Sequence, residues 1–432
     1  MNTKTNKLKT LALLLCTFCL APFTMQAQLF WSGTINLTHT QNVTQNVVLT
    51  GDVTINVQTS GTNATISGII SAQGGASYTV TKTGGGTLRL TGNNTYTGVT
   101  TISEGSVWIG NETPTGAIVG DIVNNSALRF YRSNPYTYNG VISGTGTVFQ
   151  SSGNSSSVLT LGGVNTYTGL TRISTPLVLS ATGSIANSSV VRLEANLAKL
   201  DISAGNKTIK ALSTTAAYVN STVVLGSRTL TIGTDGENEG DWIYVGTISG
   251  TGGIIKTGTG TLRLTGDNTY TGNTIISQGN LYIGNNTTTG SIAGNIVNNA
   301  NLYFARTNSY TYNGMISGTG NVYHYIDSPS SILTLGGSVY HTGTTYINAP
   351  LILSNPEGYT AESAFELNTA NAKLDISAGS KFIKSLSSNN ADTEVILGSK
   401  TLDISGGENC LNPSGNMSSC IVWMTPHISA SS

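Results

Sequence analysis

The chain has 432 residues, a formal net charge of zero and charged side chains at only 9% of positions. A neutral chain argues against a nucleic-acid partner, which needs a basic face to meet the phosphates. Hydrophobic residues still reach 38%, which argues against disorder, and the 52 glycines indicate many tight turns between short strands.

Residues 1–27 have the pattern of a secretory signal peptide. Lysines precede an apolar run over residues 11–20, and Ala27 offers a small residue for cleavage. We therefore expect the mature chain to begin at Gln28. The apolar run is too short to act as a stable membrane anchor.

A long internal repeat organises the rest of the chain. Residues 82–106 and 256–280 are identical at 19 of 25 positions, at an offset of 174. Repeated units of this kind stack into one elongated body. At roughly 20 residues per coil, the mature chain would form on the order of 20 coils.

The repeat contains short strands whose apolar residues alternate with polar ones. Leu88 and Leu90 flank Arg89, so the leucines are predicted to point inward and the arginine outward. Glu104 and Gly105 form a turn before the next strand. The predicted inward residues are Leu88, Leu90, Val107, Ile109, Leu262, Leu264, Leu281 and Ile283.

The duplication extends well beyond its strongest segment and divides the chain into two units. Within each unit the motif NTYTG recurs, starting at Asn94, Asn165 and Asn268, with a degenerate fourth copy in SVYHTG. The predicted division is a signal peptide at 1–27, a cap with the first coils at 28–76, repeat units at 77–241 and 242–407, and an irregular tail at 408–432.

Residues 246–284, GTISGTGGIIKTGTGTLRLTGDNTYTGNTIISQGNLYIG, resemble the autotransporter passenger-associated repeat, also called the autotransporter-associated β-strand repeat. Residues 79–110 match it as well, and degenerate copies begin near Val158 and Ile332. The resemblance implies an all-β, single-stranded, right-handed parallel β-helix (β-solenoid). It also implies export to the surface of a Gram-negative bacterium, and it supplies no catalytic residues.

The C-terminal end departs from that family. A self-transporting protein needs a barrel of many strands of about ten residues each, and residues 408–432 are too few for one. Either another system exports the chain or the sequence is a piece of a longer protein. Cys410 and Cys420 are the two cysteines outside the signal peptide, and export would permit a disulfide between them.

Two groups of acidic residues are candidates for catalysis or metal binding. Asp201 and Asp375 are equivalent in the two units, which favours a structural role, in a turn or a ladder, over a catalytic role. A solvated loop is the favoured interpretation of a second acidic group, because Gly246 stands where a calcium loop would end in an acid. That group consists of Asp235, Glu237, Glu239 and Asp241.

Outward aromatic side chains are candidates for a sugar-binding surface. Trp108, Tyr282 and Tyr303 alternate with inward residues, so they are predicted to face solvent. Flat rings among Asn and Thr could stack on sugars, but cross-strand packing on the solenoid surface is the favoured interpretation.

The sequence therefore predicts an exported, surface-associated protein with a structural or adhesive role, as a display body or stalk. The alternative is a carbohydrate-active parallel β-helix enzyme or a glycan-binding β-helix. We expect a monomeric rod whose partners are host or matrix glycans or other cell-surface components. We expect no enzyme activity, catalytic residue, cofactor, metal, nucleic-acid partner or membrane span in the mature chain.

Overall fold

The computed structural model describes residues 28–233, 241–357 and 360–404. These residues wind into a β-solenoid of about 17 turns in which neighbouring strands pair in parallel. The predicted all-β, parallel β-solenoid fold is confirmed. A single short 3-10 helix over Gln73–Gly75 interrupts the strands in the described part of the chain.

The strands are short, as expected where each coil turns several times. In chain order they are β1 Leu29–Leu37, β2 Asn42–Val43, β3 Val47–Val57, β4 Asn63–Ile66, β5 Ile70–Ala72, β6 Val80–Thr83, β7 Thr87–Leu90, β8 Thr100–Ile102, β9 Ser106–Thr113, β10 Ile122–Asn124, β11 Ala127–Arg132, β12 Tyr136–Tyr138, β13 Ile142–Ser143, β14 Thr147–Gln150, β15 Leu159–Leu161, β16 Thr171–Ile173, β17 Leu177–Leu179, β18 Val191–Leu193, β19 Lys199–Asp201, β20 Lys207–Ile209 and β21 Leu212–Thr214.

They continue with β22 Thr222–Gly226, β23 Leu230–Ile232, β24 Asp241–Tyr244, β25 Thr247–Gly250, β26 Ile254–Lys256, β27 Thr261–Leu264, β28 Thr274–Ile276, β29 Asn280–Thr287, β30 Ile296–Asn298, β31 Asn301–Arg306, β32 Tyr310–Tyr312, β33 Ile316–Ser317, β34 Asn321–His324, β35 Leu333–Leu335, β36 Thr344–Ile347, β37 Leu351–Leu353, β38 Thr360–Leu367, β39 Lys373–Asp375, β40 Lys381–Ser388, β41 Glu394–Ile396 and β42 Leu402–Ile404.

The strands stack into three faces, each made of two successive sheets. The first face runs β1-β3-β6-β8-β10-β13 and then β20-β23-β26-β28-β30-β33, with β5 also paired to β3. The second runs β2-β4-β7-β9-β11-β14-β16-β18-β21 and then β24-β27-β29-β31-β34-β36-β38-β40-β42. The third runs β12-β15-β17-β19-β22-β25 and then β32-β35-β37-β39-β41.

The core lies inside the coils and is built from one side of each strand. Leu88 pairs with Val107, and Leu262 pairs with Leu281 on the next coil. All eight residues predicted to point inward are buried. Because inward residues lie directly above one another, every coil covers the apolar side chains of its neighbour, and short strands acquire a continuous core.

The predicted turn between the strands of the repeat is confirmed. Gly105 and the equivalent Gly279 have φ of 66° and 68°, a left-handed conformation that favours glycine. A Cβ at Gly105 would also lie 2.3 Å from the carbonyl oxygen of Gly86 on the preceding coil. These turns therefore need glycine for both conformation and close coil-to-coil approach.

The expected coil length was somewhat too short. Residues that pair between adjacent coils lie from 18 apart in the sequence, as in Leu159 and Leu177, to 27 apart, as in Val53 and Val80. Variable loops lengthen the coils, which accounts for about 17 turns in place of the predicted 20 or so.

Several sequence predictions fall outside the described residues. These are the signal peptide, the acidic residues Asp235, Glu237 and Glu239, and the tail with Cys410 and Cys420. The division into two units stays a prediction. The sheet from β20 to β33 crosses the proposed boundary, since Leu230 pairs with Ile254.

Candidate functional site

The outer side of the second face carries two rows of large side chains, one in each unit. Strand alternation points these residues away from the core, and the parallel register places them one above another. In the first unit they form the arginine–aromatic ladder, which consists of Arg89, Trp108, Arg129, Phe149 and Arg172. In the second unit they form the tyrosine ladder, which consists of Tyr282, Tyr303, Tyr323 and Tyr346.

In the arginine–aromatic ladder, guanidinium groups and rings alternate. The Trp108 ring lies 4.7 Å from the guanidinium carbon of Arg89 and 4.7 Å from that of Arg129. The Phe149 ring lies 5.0 Å from Arg129 and 5.0 Å from Arg172. These distances are typical of cation–π contacts. Each ring therefore packs against one arginine from the coil before it and one from the coil after it.

The ladder has more positive charge than its carboxylates neutralise. Arg172 donates from Nε to both carboxylate oxygens of Glu194, at 2.8 and 2.7 Å. Arg129 donates to the hydroxyl of Ser151 at 3.2 Å, and the buried Nε of Arg89 has no hydrogen-bond partner among the described residues. Burial and the nearby Arg172 lower the pKa of Arg129, but an arginine stays charged at neutral pH.

The tyrosine ladder is a nearly parallel stack of rings. Tyr282 and Tyr303 lie 4.1 Å apart at an angle of 1°, Tyr303 and Tyr323 4.3 Å apart at 8°, and Tyr323 and Tyr346 4.8 Å apart at 10°. These separations approach the strand spacing, so the backbone register itself brings the rings together. Burial and the neighbouring phenols raise the pKa of Tyr303.

One end and one edge of the tyrosine ladder are also covered. The guanidinium carbon of Arg263 lies 4.0 Å from the centre of the Tyr282 ring. The ring of Tyr325 packs edge-on against Tyr282 and Tyr303, at 5.7 and 5.9 Å. As a result, Tyr282 is only 9% exposed. The prediction that Tyr282 is exposed to solvent is therefore wrong. The residue does lie on the outer side of the sheet, but side chains from adjacent coils cover it.

The favoured interpretation of these aromatics, cross-strand packing, is confirmed. Trp108 and Tyr303 are half-buried, and their ring faces contact the side chains above and below them. Sugar stacking needs a free ring face, and the faces inside the ladders are already covered. Sequence reasoning missed Tyr323, Tyr346 and the interleaved arginines. The available signal was an outward position recurring once per coil.

Two buried lysines were also missed. Lys82 and Lys256 occupy inward positions of equivalent strands and are 0% exposed. The Lys82 ammonium donates to the carbonyl oxygens of Thr83, Gly84 and Glu104 at 2.8, 2.7 and 3.3 Å. Burial lowers its pKa to about 8. These contacts satisfy turn carbonyls on two coils, which gives the lysine a structural role.

The NTYTG motif places a buried asparagine between coils. The Asn94 side chain accepts from the backbone N–H of Ile70 at 2.8 Å and donates to the carbonyl of Ala117 at 2.9 Å. Asn165 and Asn268 make the equivalent contacts. Each asparagine thus bonds to the coil before and the coil after its own.

The tyrosine of the same motif is buried and pairs with a threonine. Tyr167 and Thr171 lie 2.6 Å apart through their hydroxyls. In the degenerate fourth copy His341 takes the tyrosine position, and its Nε2 lies 2.9 Å from the hydroxyl of Thr345. The fold therefore keeps this hydrogen bond although the residue types differ.

Another buried histidine of the second unit replaces a glutamine. His324 lies between the carbonyl of Ala349 and the hydroxyl of Ser331, each at 3.1 Å from a ring nitrogen. Its counterpart is Gln150, which donates to Thr175 at 2.8 Å. Burial lowers the pKa of His324 and of His341 to about 4.

The acidic residues shared by the two units have the predicted turn role. The carboxylate of Asp201 accepts from the backbone N–H of Ser203 at 2.9 Å, and Asp375 accepts from Ser377 at 2.8 Å. The described residues contain no group of three or more histidine, cysteine or acidic side chains placed to hold a metal ion. Within those same residues, no helix has the length and apolar character to cross a bilayer.

Comparison with known proteins identifies the repeat. Three segments match the family model described as Passenger-associated-transport-repeat, over residues 80–109, 154–175 and 254–283. The chain carries this repeat, as the sequence resemblance predicted. The copy near Val158 falls within the second match, and the copy near Ile332 stays a prediction.

Three curated proteins share part of the sequence. The chain is 44% identical over 99 residues to the adhesin BmaC autotransporter of Brucella suis biovar 1 (strain 1330), which is 22% of this chain and 3% of that protein. It is 34% identical over 117 residues to an extracellular serine protease of Serratia marcescens, which is 27% of this chain and 9% of that protein. It is 30% identical over 125 residues to the uncharacterized protein YuaQ of Escherichia coli (strain K12), which is 26% of this chain and 8% of that protein.

The matched region is thus less than a tenth of the length of each of these relatives. No solved structure matches the chain.

Proposed function

We propose that the chain is a surface passenger of a Gram-negative bacterium, exported through its N-terminal signal, with a structural and adhesive role. The observation that carries this proposal is a transport repeat built into one continuous parallel solenoid. The relatives support the surface setting, since two of the three are described as an adhesin autotransporter and an extracellular serine protease, and the first of these also supports the adhesive role.

The geometry suits a body that holds a binding surface away from the cell. About 17 turns at a strand spacing of about 4.8 Å give a rod roughly 80 Å long. Lys82 and its counterpart Lys256, which lie on the inward side of the repeat, satisfy backbone carbonyls. The large outward side chains form ladders along the rod. A repeated outer surface of this kind favours weak contacts made many times over.

Localisation tests the proposal directly. Intact cells that produce the full chain would be treated with an external protease, and the fragments would be compared with those from lysed cells. We expect cleavage on intact cells, together with a mature N-terminus at Gln28 in mass spectrometry. Protection on intact cells and an uncleaved Met1 would contradict the proposal.

The rival function, a carbohydrate-active enzyme, is tested on the purified mature chain. Soluble polysaccharides would be incubated with it and assayed for new reducing ends and for unsaturated products. We expect no turnover. Turnover that is lost on substitution of a single acidic residue would replace the structural proposal by the enzymatic one.

A further inference from the structure

The geometry points to a binding surface for a linear anionic polysaccharide along the arginine–aromatic ladder. The inference deepens the proposed function, on which it rests for an extracellular setting, by naming the class of partner. The neutral composition of the whole chain conceals this surface, because a net charge of zero does not show that arginines from different coils stand in one row.

The first supporting observation is a difference between the two units at equivalent positions. Arg172 is followed on the next coil by Arg192, which extends the row. In the second unit the corresponding residues are Tyr346 and Glu366. Equivalent backbone therefore carries four arginines in one unit, whereas the row in the other unit is a tyrosine stack with one arginine, Arg263, at one end and Glu366 at the other. The solenoid does not need the arginines for its architecture.

The second observation is the sparse compensation of that charge. The outward side chains beside the ladder are mainly small and polar, as at Ser106, Thr147 and Ser151. Glu194 pairs with Arg172. Glu112 accepts instead from the backbone N–H of Gly153, at 2.7 Å. Four arginines therefore face this side with one carboxylate paired to them.

The third observation is that the arginines are held in place before any ligand arrives. Rings on adjacent coils lie 4.7–5.0 Å from the guanidinium carbons of Arg89, Arg129 and Arg172, so each arginine is held by packing against its neighbours. Arg89, Arg129 and Arg172 lie on every second coil, about 10 Å apart. A guanidinium group fixed in this way loses little freedom on binding a carboxylate or sulfate through two hydrogen bonds.

The spacing and the covered rings favour a polysaccharide over a nucleic acid. About 10 Å is comparable to the length of two linked sugar rings, so a polymer with one acid group per disaccharide matches the row. A nucleic-acid strand carries a charge about every 3.4 Å, and single strands gain affinity by stacking bases on free aromatic faces. In this ladder those faces already contact arginine.

The test measures binding of the purified full chain to immobilised heparin and to polygalacturonate, which separate sulfate from carboxylate chemistry. Dextran serves as the uncharged control. A single-stranded DNA oligonucleotide serves as the polyanion of a different chemical class. The key variant is R129Y/R172Y, which installs the residue types of Tyr303 and Tyr346. We expect it to weaken binding to the preferred anionic glycan by about tenfold or more.

Two further variants control the result. K210Q/R228Q removes two exposed charges elsewhere on the solenoid, and we expect it to change the affinity less than about twofold. Y303R/Y346R builds an arginine row in the second unit and should increase binding. Thermal unfolding of each variant shows whether it is folded.

Equal losses in R129Y/R172Y and in K210Q/R228Q would overturn the inference, because they would show a dependence on net charge alone. Binding to DNA as tight as to either glycan, or no binding to both glycans, would also overturn it. These outcomes are distinct from a failure of the proposed function, which is judged by protease accessibility on intact cells.

Discussion

The arginine–aromatic ladder and the tyrosine ladder lie on equivalent strands of the two units but pack their side chains differently. In the first unit guanidinium groups separate the rings, with about 5 Å between each ring and its arginine, whereas in the second unit the rings contact one another directly. The inward residues Leu90 and Leu264 are meanwhile the same and equally buried. Architecture therefore depends on the inward side of each strand, and the outward side is left to vary in charge.

The comparison also holds inside the solenoid, where the second unit has titratable groups that the first lacks. His324 and His341 stand where the first unit has Gln150 and Tyr167. Both pairs are buried and make hydrogen bonds. The two units should therefore differ in their response to acid.

The largest expected effect is a loss of folding stability at acid pH, caused by the buried histidines of the second unit. An unfolded histidine takes up a proton near pH 6.5, whereas His324 and His341 in the fold do so only near pH 4. Between these values the unfolded state binds more protons, so stability falls as pH falls through this window. The loss levels off below pH 4. It amounts to up to about 3 kcal/mol for each histidine.

Urea denaturation between pH 7 and pH 4 measures this loss. H324Q/H341Y installs the first unit's residue types and should remove most of the pH dependence. H39Q, at an exposed position, is the matched control and should retain it. Hydrogen exchange at pH 4 should show faster opening around β34 to β36 than around β14 to β16. Equal protection of the two regions would contradict the assignment.

Truncation of a core leucine is the next largest effect. Leu264→Ala and Leu90→Ala each remove a buried side chain that coils on both sides cover, and each should cost about 2–5 kcal/mol of local stability. Since the two sites are equivalent, we expect the losses to agree within about 1 kcal/mol. Chemical denaturation with hydrogen exchange would measure both. A large difference would show that the units are not packed alike.

Removal of a buried asparagine should cost less stability than truncation of a core leucine and more than loss of an arginine at a ladder end. Asn268→Ala leaves the N–H of Ile248 without its acceptor. It also removes the side-chain donor to the carbonyl of Ser291, which keeps only the backbone N–H of residue 268. Each loss of a buried hydrogen bond costs about 1–3 kcal/mol. Fluorescence-monitored urea unfolding is the measurement, with Asn165→Ala as the equivalent change in the first unit. Full stability in both variants would mean that these bonds contribute nothing.

The smallest effect is expected at the ladder ends. Arg263→Ala removes a guanidinium group 4.0 Å from Tyr282, and Arg89→Ala removes one 4.7 Å from Trp108. Each should cost about 0.5–1 kcal/mol. The same unfolding assay applies. If Arg263→Ala cost as much as Leu264→Ala, the assignment of inward and outward sides on that strand would be wrong.

Much of the fold could be predicted because it depends on local patterns. The alternation at Leu262, Arg263 and Leu264 specifies which side is inward, and Gly105 specifies a turn. The turn role of Asp201 also followed, because an equivalent acid recurs at Asp375.

The ladders could not be predicted in the same way, because they depend on register between coils. The distance along the sequence from one coil to the next varies between 18 and 27 residues, so the row from Arg89 through Phe149 cannot be aligned without the structure. Lys82 was missed for a different reason. A lysine on the inward side becomes plausible only when the turn carbonyls that surround it are known.

The buried asparagines have a mechanical consequence. Because the side chain of Asn94 bonds to Ile70 on one side and to Ala117 on the other, a coil cannot be pulled from the stack without disturbing two neighbours. Under tension applied at one end, a rod joined in this way should therefore give way in steps of several coils, with stops wherever such an asparagine joins three coils.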